Sequence, residues 1–337
     1  MSNETQQDQR TAADLQLCIG GFSSKGLKAE NEDAFAAIVP DSHELRAKGA
    51  VAAIADGLSS ANKAADASQL AVTQFIQEYL VTPETWSTQK SAAKVLTSLN
   101  NWLYSQGGFV EGLADENSPQ WLTTFSALIA KSTTGYIFHV GDTRITKYRN
   151  QQLEVITRDH NRKQIGQQAL LTRALGADNR LEVDVHKIDL QPGDLYMLSC
   201  DGIHDYITKP TFQSLFDSLP LSPKKSDLEA LALKIVNTAL EQGSNDNVTC
   251  LLVYVQAVPN RKLTEIQRDL SAKAIPPALK VGQKLDGYLV KKVIHASIRS
   301  HLYLVVDLAT DKPYVLKAPS ANFSEDAIYL QGFMREA

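Results

Sequence analysis

Five aspartates that lie far apart along the chain share one local setting. Each stands at the edge of an apolar or glycine-flanked segment, and together they are Asp33, Asp56, Asp142, Asp201 and Asp246. Oxygen ligands of this kind suit Mg²⁺ and Mn²⁺ better than zinc. Carboxylates brought close together also repel one another unless cations neutralise them. The pattern therefore predicts that these side chains converge on hard divalent ions.

Two of these aspartates directly follow apolar runs. Asp56 comes after residues 51–55, Asp201 comes after residues 195–200, and a glycine follows each aspartate. A short unbroken apolar run is typical of a strand that is covered on both faces. Asp-Gly is also a common turn dipeptide, so a turn alone would explain a single corner of this type.

Most of the elements that must position the aspartates are predicted to be short strands. Hydrophobic periodicity predicts helices at 64–80, 91–104 and 227–242, the last capped by Ser226 and Glu229. Apolar runs between turn residues predict strands at 15–21, 34–39, 51–55, 123–130, 136–140, 144–148, 153–157, 181–190, 195–200 and 248–255. Two layers of strands with helices outside them would form a covered sandwich.

The composition excludes several classes of protein. The 337 residues carry a net charge of −4, which provides no basic surface for nucleic acid or for an anionic membrane. No apolar run approaches the ~18 residues of a membrane-spanning helix. The three cysteines lie far apart in apolar runs, and they are predicted to be buried, reduced thiols: Cys18, Cys200 and Cys250. We therefore expect a soluble, cytoplasmic segment.

The chain is predicted to contain two folded regions. Residues 1–14 are polar and are predicted to form a disordered tail, whereas residues 15–257 contain the aspartates and most of the strands. A glycine-rich, acidic stretch at 106–120 is predicted to be a loop within this region. Residues 258–280 become polar and contain a proline pair, which is typical of a linker, and a new strand pattern occupies 281–337.

Residues 15–255 resemble the metal-dependent Ser/Thr protein phosphatases of the 2C type, the PPM family. Besides the aspartates, three motifs carry the resemblance: TRDH at 157–160, LTRALG at 171–176 and LQPGDLYMLSCDG at 190–202. Several motifs in the family's order are far more specific than any one of them. The resemblance implies an α+β fold, a two-layer antiparallel β-sandwich flanked by helix pairs, with two Mn²⁺ or Mg²⁺ ions and a weaker third site.

The resemblance also implies a role for each residue of the site. Asp56 would bridge both ions, and the carbonyl of Gly57 would bind one of them. Asp33, Asp201 and Asp246 would complete the coordination of the two ions, largely through water, and Glu32 would hold a water bound to metal. Asp142 would form the third site together with Asp201. Asn247 would not bind metal but would contact the residues that do.

A site of this kind suits the hydrolysis of phosphate monoesters. Two ions ~3.5–4 Å apart can lower the pKa of a bridging water and hold the attacking and leaving oxygens. Charge neutralisation lowers the barrier further. No serine, cysteine or histidine nucleophile is required, and Cys200 and Cys250 are predicted to lie within strands.

The sequence departs from the family at two positions near the site. Lys28 stands five residues before Asp33, where the family usually has an arginine that binds the substrate phosphate. A lysine supplies charge without the bidentate fork, and an ordinary solvated loop lysine is the alternative. Leu58 stands where eukaryotic members often have a histidine proposed as general acid. We interpret His160 as structural and the nearness of His204 to the site as chance.

Residues 281–337 resemble the first strands of a eukaryotic-type Ser/Thr protein kinase. Lys317 would be the nucleotide-binding lysine of the third strand, and Glu336 would be its helix partner. Histidine or serine replaces the glycines of the nucleotide loop at His295, Ser297 and Ser300, which would hinder the approach of phosphates to the backbone. The alternative is an unrelated β module with a surface lysine, and we expect no kinase activity from this chain.

The sequence thus predicts a bacterial-type phosphoserine/phosphothreonine phosphatase fused to the start of a kinase-like domain. Its partners would be proteins phosphorylated on serine or threonine and its own or a neighbouring kinase domain. The short segment 161–171 replaces a larger flap, which predicts permissive substrate choice. The alternative is a degenerate phosphatase fold that senses phosphoproteins and regulates the fused kinase. The presence of all five aspartates favours the enzyme, whereas Lys28 and Leu58 leave the alternative open.

Overall fold

The chain forms two compact units, Met1–Asn260 and Arg261–Ala337. The computed structural model describes residues 14–106, 120–162, 170–259 and 275–323, together with Tyr329 and Phe333. Four predicted features lie largely outside the described residues: the tail 1–14, the loop 106–120, the shortened flap 161–171 and the linker 258–280.

The first unit is built mainly from short strands, with helices before and after a long run of them. Its strands are β1 (Gln16–Ser24), β2 (Asp33–Ile38), β3 (Ala50–Asp56), β4 (Phe125–Lys131), β5 (Thr134–Val140), β6 (Arg144–Arg149), β7 (Gln152–Val155), β8 (Asn161–Arg162), β9 (Leu170–Leu171), β10 (Asp184–Asp189), β11 (Leu195–Ser199) and β12 (Val248–Ala257). Its helices are α1 (Ser42–Ala47), α2 (Ala64–Val81), α3 (Thr88–Gln106), α4 (Asp201–His204), α5 (Lys209–Phe216) and α6 (Lys225–Glu241).

Two antiparallel sheets form the frame of this unit. Within the described residues, one sheet has the order β1-β12-β11-β6-β7 and the other has the order β10-β5-β4-β3-β2. Neighbouring strands run antiparallel throughout both sheets. The short strands β8 and β9 pair with each other outside the two sheets. The predicted antiparallel α+β architecture is therefore confirmed for this unit.

Three apolar clusters show how the layers stack. Ile54 of β3 shares the middle cluster with Tyr196 of β11 and Val253 of β12, so this cluster lies between the sheets. Ala53 belongs to a cluster with α2 and α3, and Met197 belongs to one with α5 and α6. Side chains on a strand alternate between its faces, so β3 and β11 are covered on both sides. This double burial explains their unbroken apolar runs.

The helix ends differ from the predicted ones by a few residues. The predicted cap of α6 is wrong, because the helix begins at Lys225 and the N–H of Lys224 donates to the Asp227 carboxylate at 2.8 Å. Ser226 and Glu229 therefore lie inside the helix. The sequence did not predict α1, α4 or α5, because helices this short offer too few turns for a periodic pattern.

The cysteines are buried, as predicted, but one of them lies outside a strand. Cys250 is in β12, whereas Cys200 follows β11 and precedes the first residue of α4. No helix among the described residues is long and apolar enough to cross a membrane.

The second unit contains a small antiparallel sheet. Its described strands have the order β13-β14-β15-β16, namely β13 (Lys284–Leu285), β14 (Tyr288–Ala296), β15 (Ser300–Asp307) and β16 (Pro313–Pro319). Val290, Tyr303, Val305 and Ala318 form its core. Lys317 lies in β16, and its ammonium is 4.9 Å from the ring centroid of Phe333. Glu336 lies outside the described residues, so its pairing with Lys317 remains a prediction.

Candidate metal centre

The topology brings the five aspartates to one end of the two sheets. Asp33 begins β2 and Asp56 ends β3, and the two residues are direct partners in the register of these strands. Asp142 lies in the turn between β5 and β6. One residue separates Asp201 from the end of β11, and one residue separates Asp246 from the start of β12. Because neighbouring strands run in opposite directions, these starts and ends meet at the same end of each sheet.

Asp33 is the most deeply buried of the five, with 8% of its surface exposed. Its Oδ2 accepts a hydrogen bond of 2.6 Å from Thr249 Oγ1, which ties β2 to β12 of the other sheet. Its Oδ1 is buried and has no hydrogen-bond partner among the described residues. Burial raises the pKa of Asp33 to about 6, although hydrogen bonds from Thr249 and Cys200 oppose the shift. A buried carboxylate oxygen without a partner is costly and needs a specific explanation.

Two threonines just before β4 hold the backbone of Asp56 in place. Its N–H donates to Thr124 Oγ1 at 2.9 Å, and its carbonyl accepts from the Thr124 N–H at 2.8 Å and from Thr123 Oγ1 at 3.0 Å. Burial is the main cause that raises the pKa of Asp56 well above its ordinary value. The other cause is the negative charge of the four remaining aspartates: Asp33, Asp201, Asp142 and Asp246. The five carboxylates therefore share one electrostatic environment.

The charge of Asp201 acts on Asp142, the residue with which the family resemblance pairs it at a third site. Burial raises the pKa of Asp142 to about 7, and the charge of Asp201 adds to the shift. Burial also raises the pKa of Asp201, followed by the charges of Asp246 and Asp205. Both carboxyl groups therefore lie where negative charge is unfavourable without a nearby cation.

Glycine is needed after Asp56 and Asp201 because a side chain there would collide with neighbouring backbone, and not because of an unusual turn conformation. A Cβ on Gly57 would lie 2.5 Å from the Ala64 carbonyl oxygen, and a Cβ on Gly202 would lie 2.0 Å from that of Asn247. Neither glycine has a positive φ. The two Asp-Gly corners are thus places where another segment of backbone approaches closely, and the simple turn explanation does not apply to them.

Asn247 fastens the loop between β1 and β2 to the start of β12. Its side chain is 2% exposed; Oδ1 accepts from the Glu32 N–H at 2.8 Å. Its Nδ2 donates to the carbonyl oxygens of Lys25 and Glu30, both at 2.9 Å. The loop that carries Lys28 is consequently held beside Asp246.

The Lys28 ammonium lies among carboxylates rather than free in solvent. Its Nζ is 2.5 Å from Asp246 Oδ1 and 3.4 Å from Glu32 Oε2. Burial alone would lower the pKa of Lys28, but the hydrogen bonds and charges of Asp246 and Glu32 outweigh it and raise the pKa. Nζ also donates to Ser59 Oγ at 2.6 Å, and Ser59 Oγ donates to Glu32 Oε2 at 2.7 Å.

The donor set fits a hard divalent cation, although the side chains are not drawn together around one position. In the described part of the chain, no three acidic, histidine or cysteine side chains lie close enough to hold an ion as they stand. The site nevertheless offers carboxylate oxygens, the unpartnered buried Oδ1 of Asp33 and a concentration of negative charge. These are the properties that Mg²⁺ and Mn²⁺ sites require.

The two histidines near the site have structural partners. Nδ1 of His160 accepts from the Gly141 N–H at 3.1 Å, and its Nε2 lies 3.1 Å from Asp184 Oδ2. Nδ1 of His204 lies 3.1 Å from Ser199 Oγ. Burial, followed by the charge of Arg144, lowers the pKa of His204 to about 3, so this histidine is neutral near pH 7.

Sequence reasoning missed three hydroxyl residues that hold the site. They are Ser59, Thr124 and Thr249, whose side chains bond to Lys28 and Glu32, to Asp56, and to Asp33 respectively. Each contact joins positions that are far apart in sequence, and serine and threonine are common residues. No local pattern marks them, so only the strand register and the loop geometry reveal them.

Residues 23–240 match the protein phosphatase 2C family. The match covers more than half of the chain, and the chain therefore belongs to this family.

Particular relatives agree with this placement. The chain is 28% identical over 169 residues to the serine/threonine phosphatase stp of Listeria monocytogenes, covering 44% of this chain and 60% of that protein. The chain therefore spans about three fifths of the length of these curated relatives.

Two solved structures share the fold. The catalytic domain of the phosphatase PstP in complex with two manganese ions has a TM-score of 0.58 and 23% identity, covering 72% of this chain and 100% of that chain. The phosphatase Stp1 of Staphylococcus aureus has a TM-score of 0.60 and 19% identity, covering 73% of this chain and 98% of that chain. At these identities the likeness concerns the fold alone.

Proposed function

We propose that the first unit is a metal-dependent phosphatase that acts on phosphoserine and phosphothreonine in proteins. The observation that carries the proposal is the pairing of Asp33 with Asp56 across β2 and β3. Asp33 has a buried oxygen that finds no hydrogen-bond partner among the described residues, and Asp56 is under the negative charge of Asp33 and three further aspartates. Membership of the 2C family and similarity to a serine/threonine phosphatase support the same conclusion.

The residues at this end of the sheets would hold two Mn²⁺ or Mg²⁺ ions. Asp56 would bridge them, and the Gly57 carbonyl would bind one. The remaining assignments follow the family pattern: Asp33, Asp201 and Asp246 around the pair, Glu32 through water, and Asp142 with Asp201 at a third position. Such ions, when bound, lower the pKa of water and neutralise charge on the phosphate.

The rest of the chemistry falls to residues of this chain. Lys28 would bind the substrate phosphate as a point charge, since a lysine lacks the fork of an arginine. Asn247 would keep the Lys28 loop in place through the hydrogen bonds to Lys25 and Glu30. Leu58 has no proton to donate and His204 is neutral, so the leaving group would take its proton from water.

We further propose that the second unit corresponds to the first strands of a protein kinase and is a partner of the phosphatase. The position of Lys317 on the last described strand of an antiparallel sheet supports this proposal.

The test of the proposed function is hydrolysis of p-nitrophenyl phosphate and of a phosphothreonine peptide. We expect turnover with Mn²⁺, none with EDTA, and a loss of roughly 100-fold or more for Asp201→Asn. Asp66→Asn is the matched control, because Asp66 is exposed and pairs with the exposed Lys63 at 2.9 Å. Absence of turnover with Mn²⁺ on both substrates would overturn the proposal. Phosphopeptide binding without turnover would support the sensing module instead.

A further inference from the structure

Ser59 is an exposed residue whose hydroxyl group joins two charged residues of the candidate site. Its Oγ accepts a hydrogen bond from Lys28 Nζ at 2.6 Å and donates its own hydrogen to Glu32 Oε2 at 2.7 Å. The Ser59 backbone follows the Asp56-Gly57 corner by two residues. The corner itself is fixed, because the Gly57 N–H donates to the Glu32 carbonyl at 3.0 Å. The Ser59 hydroxyl is therefore presented from a fixed segment of backbone.

Ser59 differs from the other partners of Lys28 in charge. Among the described residues, the Lys28 ammonium contacts Asp246 Oδ1, Glu32 Oε2 and Ser59 Oγ. Asp246 and Glu32 are carboxylates that belong to the proposed metal centre. Ser59 is the neutral partner, and an alcohol competes poorly with carboxylates for a hard divalent ion. It is thus the contact that Lys28 can keep when both carboxylates serve the metal ions.

A lysine needs such a contact more than an arginine would. Lysine ends in a compact charge on a flexible four-carbon stem, whereas the planar fork of arginine is pre-organised for a phosphate. Ordering the long side chain of a lysine also costs conformational entropy. Because Lys28 stands where the 2C family usually has arginine, its position has to be set by a neighbouring residue.

We propose that Ser59 is a positioning residue that holds the Lys28 ammonium at the edge of the metal centre, where it meets the phosphate group of the substrate. This inference rests on the proposed function. The ligand recognised is a phosphate monoester or inorganic phosphate, and Ser59 acts on it only through Lys28.

Four variants test the inference: Ser59→Ala, Ser59→Thr, Lys28→Ala and the double variant of Ser59→Ala with Lys28→Ala. Ser60→Ala is the control, because Ser60 is the next residue, has the same side chain and is exposed. The measurements are KM and kcat for p-nitrophenyl phosphate with Mn²⁺, and the Kd values of inorganic phosphate and of Mn²⁺ by calorimetry.

We expect Ser59→Ala to raise KM and the Kd of phosphate about three- to tenfold, less than the full value of a hydrogen bond to a charged group, because Ser59 acts on phosphate only through Lys28. The expected change in kcat and in the Kd of Mn²⁺ is less than about twofold, because uniform binding affects KM alone. Ser59→Thr keeps the hydroxyl and restores phosphate binding. In the Lys28→Ala background, Ser59→Ala has no further effect, since its only route to phosphate is gone.

Two results would overturn the inference. One is an unchanged Kd of phosphate in Ser59→Ala, and the other is an equal loss with and without Lys28. If unchanged phosphate binding were accompanied by a fall in Mn²⁺ affinity, Ser59 would be acting on Glu32 rather than on Lys28. Failure of the proposed function itself would give a different result. The wild type and Ser60→Ala would then bind phosphate without hydrolysing p-nitrophenyl phosphate.

Discussion

Asp33 and Asp56 face each other directly across the antiparallel strands β2 and β3. Like charges in this position destabilise a sheet, and burial raises the pKa of both carboxyl groups. The chain thus retains an arrangement that works against its own stability. A bound cation would remove the repulsion.

Replacing Asp56 with asparagine should stabilise the metal-free protein while it weakens metal binding. Removing one of two opposed charges is worth about 1 kcal/mol, or ~2–4 °C in the melting temperature of a domain of this size. Thermal unfolding of Asp56→Asn and wild type in EDTA measures the gain. With Mn²⁺ the order should reverse, because only the wild type gains from the ion. A lower melting temperature for the variant in EDTA would contradict the account.

Gly202→Ala should disturb the metal centre through the backbone. The new Cβ would lie 2.0 Å from the carbonyl oxygen of Asn247, so one of the two segments must move. We expect a loss of about 1–3 kcal/mol in urea unfolding, typical of overpacking, together with weaker Mn²⁺ binding. Gly243→Ala is the control, because its Cβ would meet nothing within 4 Å and only its φ of +93° is unfavourable. Equal Mn²⁺ affinity in wild type and Gly202→Ala would be evidence against the role of this corner.

Asn247→Ala should release the loop that carries Lys28. The variant loses the hydrogen bonds to the Glu32 N–H and to the carbonyls of Lys25 and Glu30. At about 0.5–1.5 kcal/mol for each bond, we expect a loss of about 2–4 kcal/mol in the free energy of unfolding.

Hydrogen exchange should also become faster in the backbone of residues 25–32 of the Asn247→Ala variant. Asn245→Ala is the matched control, because Asn245 is exposed and accepts one hydrogen bond of 2.8 Å from Tyr206. If the two variants lose the same small amount of stability, Asn247 does not fasten the loop.

His139 should make the protein less stable as the pH falls below 6.5. The ring lies 2.8 Å from Ser126 Oγ and 3.0 Å from the Arg158 carbonyl oxygen, and it is fully buried. Burial, followed by the charge of His160, lowers the pKa of His139 from 6.5 to about 4. Between these pH values the unfolded chain takes up a proton that the native state does not. The free energy of unfolding therefore decreases as the pH is lowered.

Urea unfolding at pH 7.5, 6.0 and 5.0 tests this effect of His139. His139→Gln should have a lower free energy of unfolding than the wild type at pH 7.5. The difference between the two free energies should become smaller as the pH is lowered. The second histidine with a lowered pKa, His204, is present in both proteins and cancels in the comparison. A gap that is constant across the three pH values would show that His139 does not titrate in this range.

The sequence was most informative where local patterns decide the structure. The unbroken apolar run before Asp56 predicted a doubly covered strand, and the periodicity of 227–242 predicted α6 to within two residues at its start. The register between strands could not be predicted from local patterns, because it depends on partners that are distant in the chain. That Asp33 faces Asp56, or that Thr249 reaches Asp33 from the other sheet, could not be derived from either segment alone.

The contacts of Lys28 show the same limit. The resemblance to the 2C family indicated a role for Lys28 near phosphate, but its partner Ser59 lies 31 positions away and carries no motif. The four-residue helix that begins at Asp201 was also missed, because one turn has no periodicity to detect.

The most direct test of the central claim is anomalous diffraction from crystals of the protein grown with Mn²⁺. The account predicts two peaks ~3.5–4 Å apart, with a carboxylate oxygen of Asp56 bound to both and the carboxylates of Asp33, Asp201 and Asp246 around them. Crystals that contain Mn²⁺ at saturating concentration but show no peak beside Asp56 would contradict it.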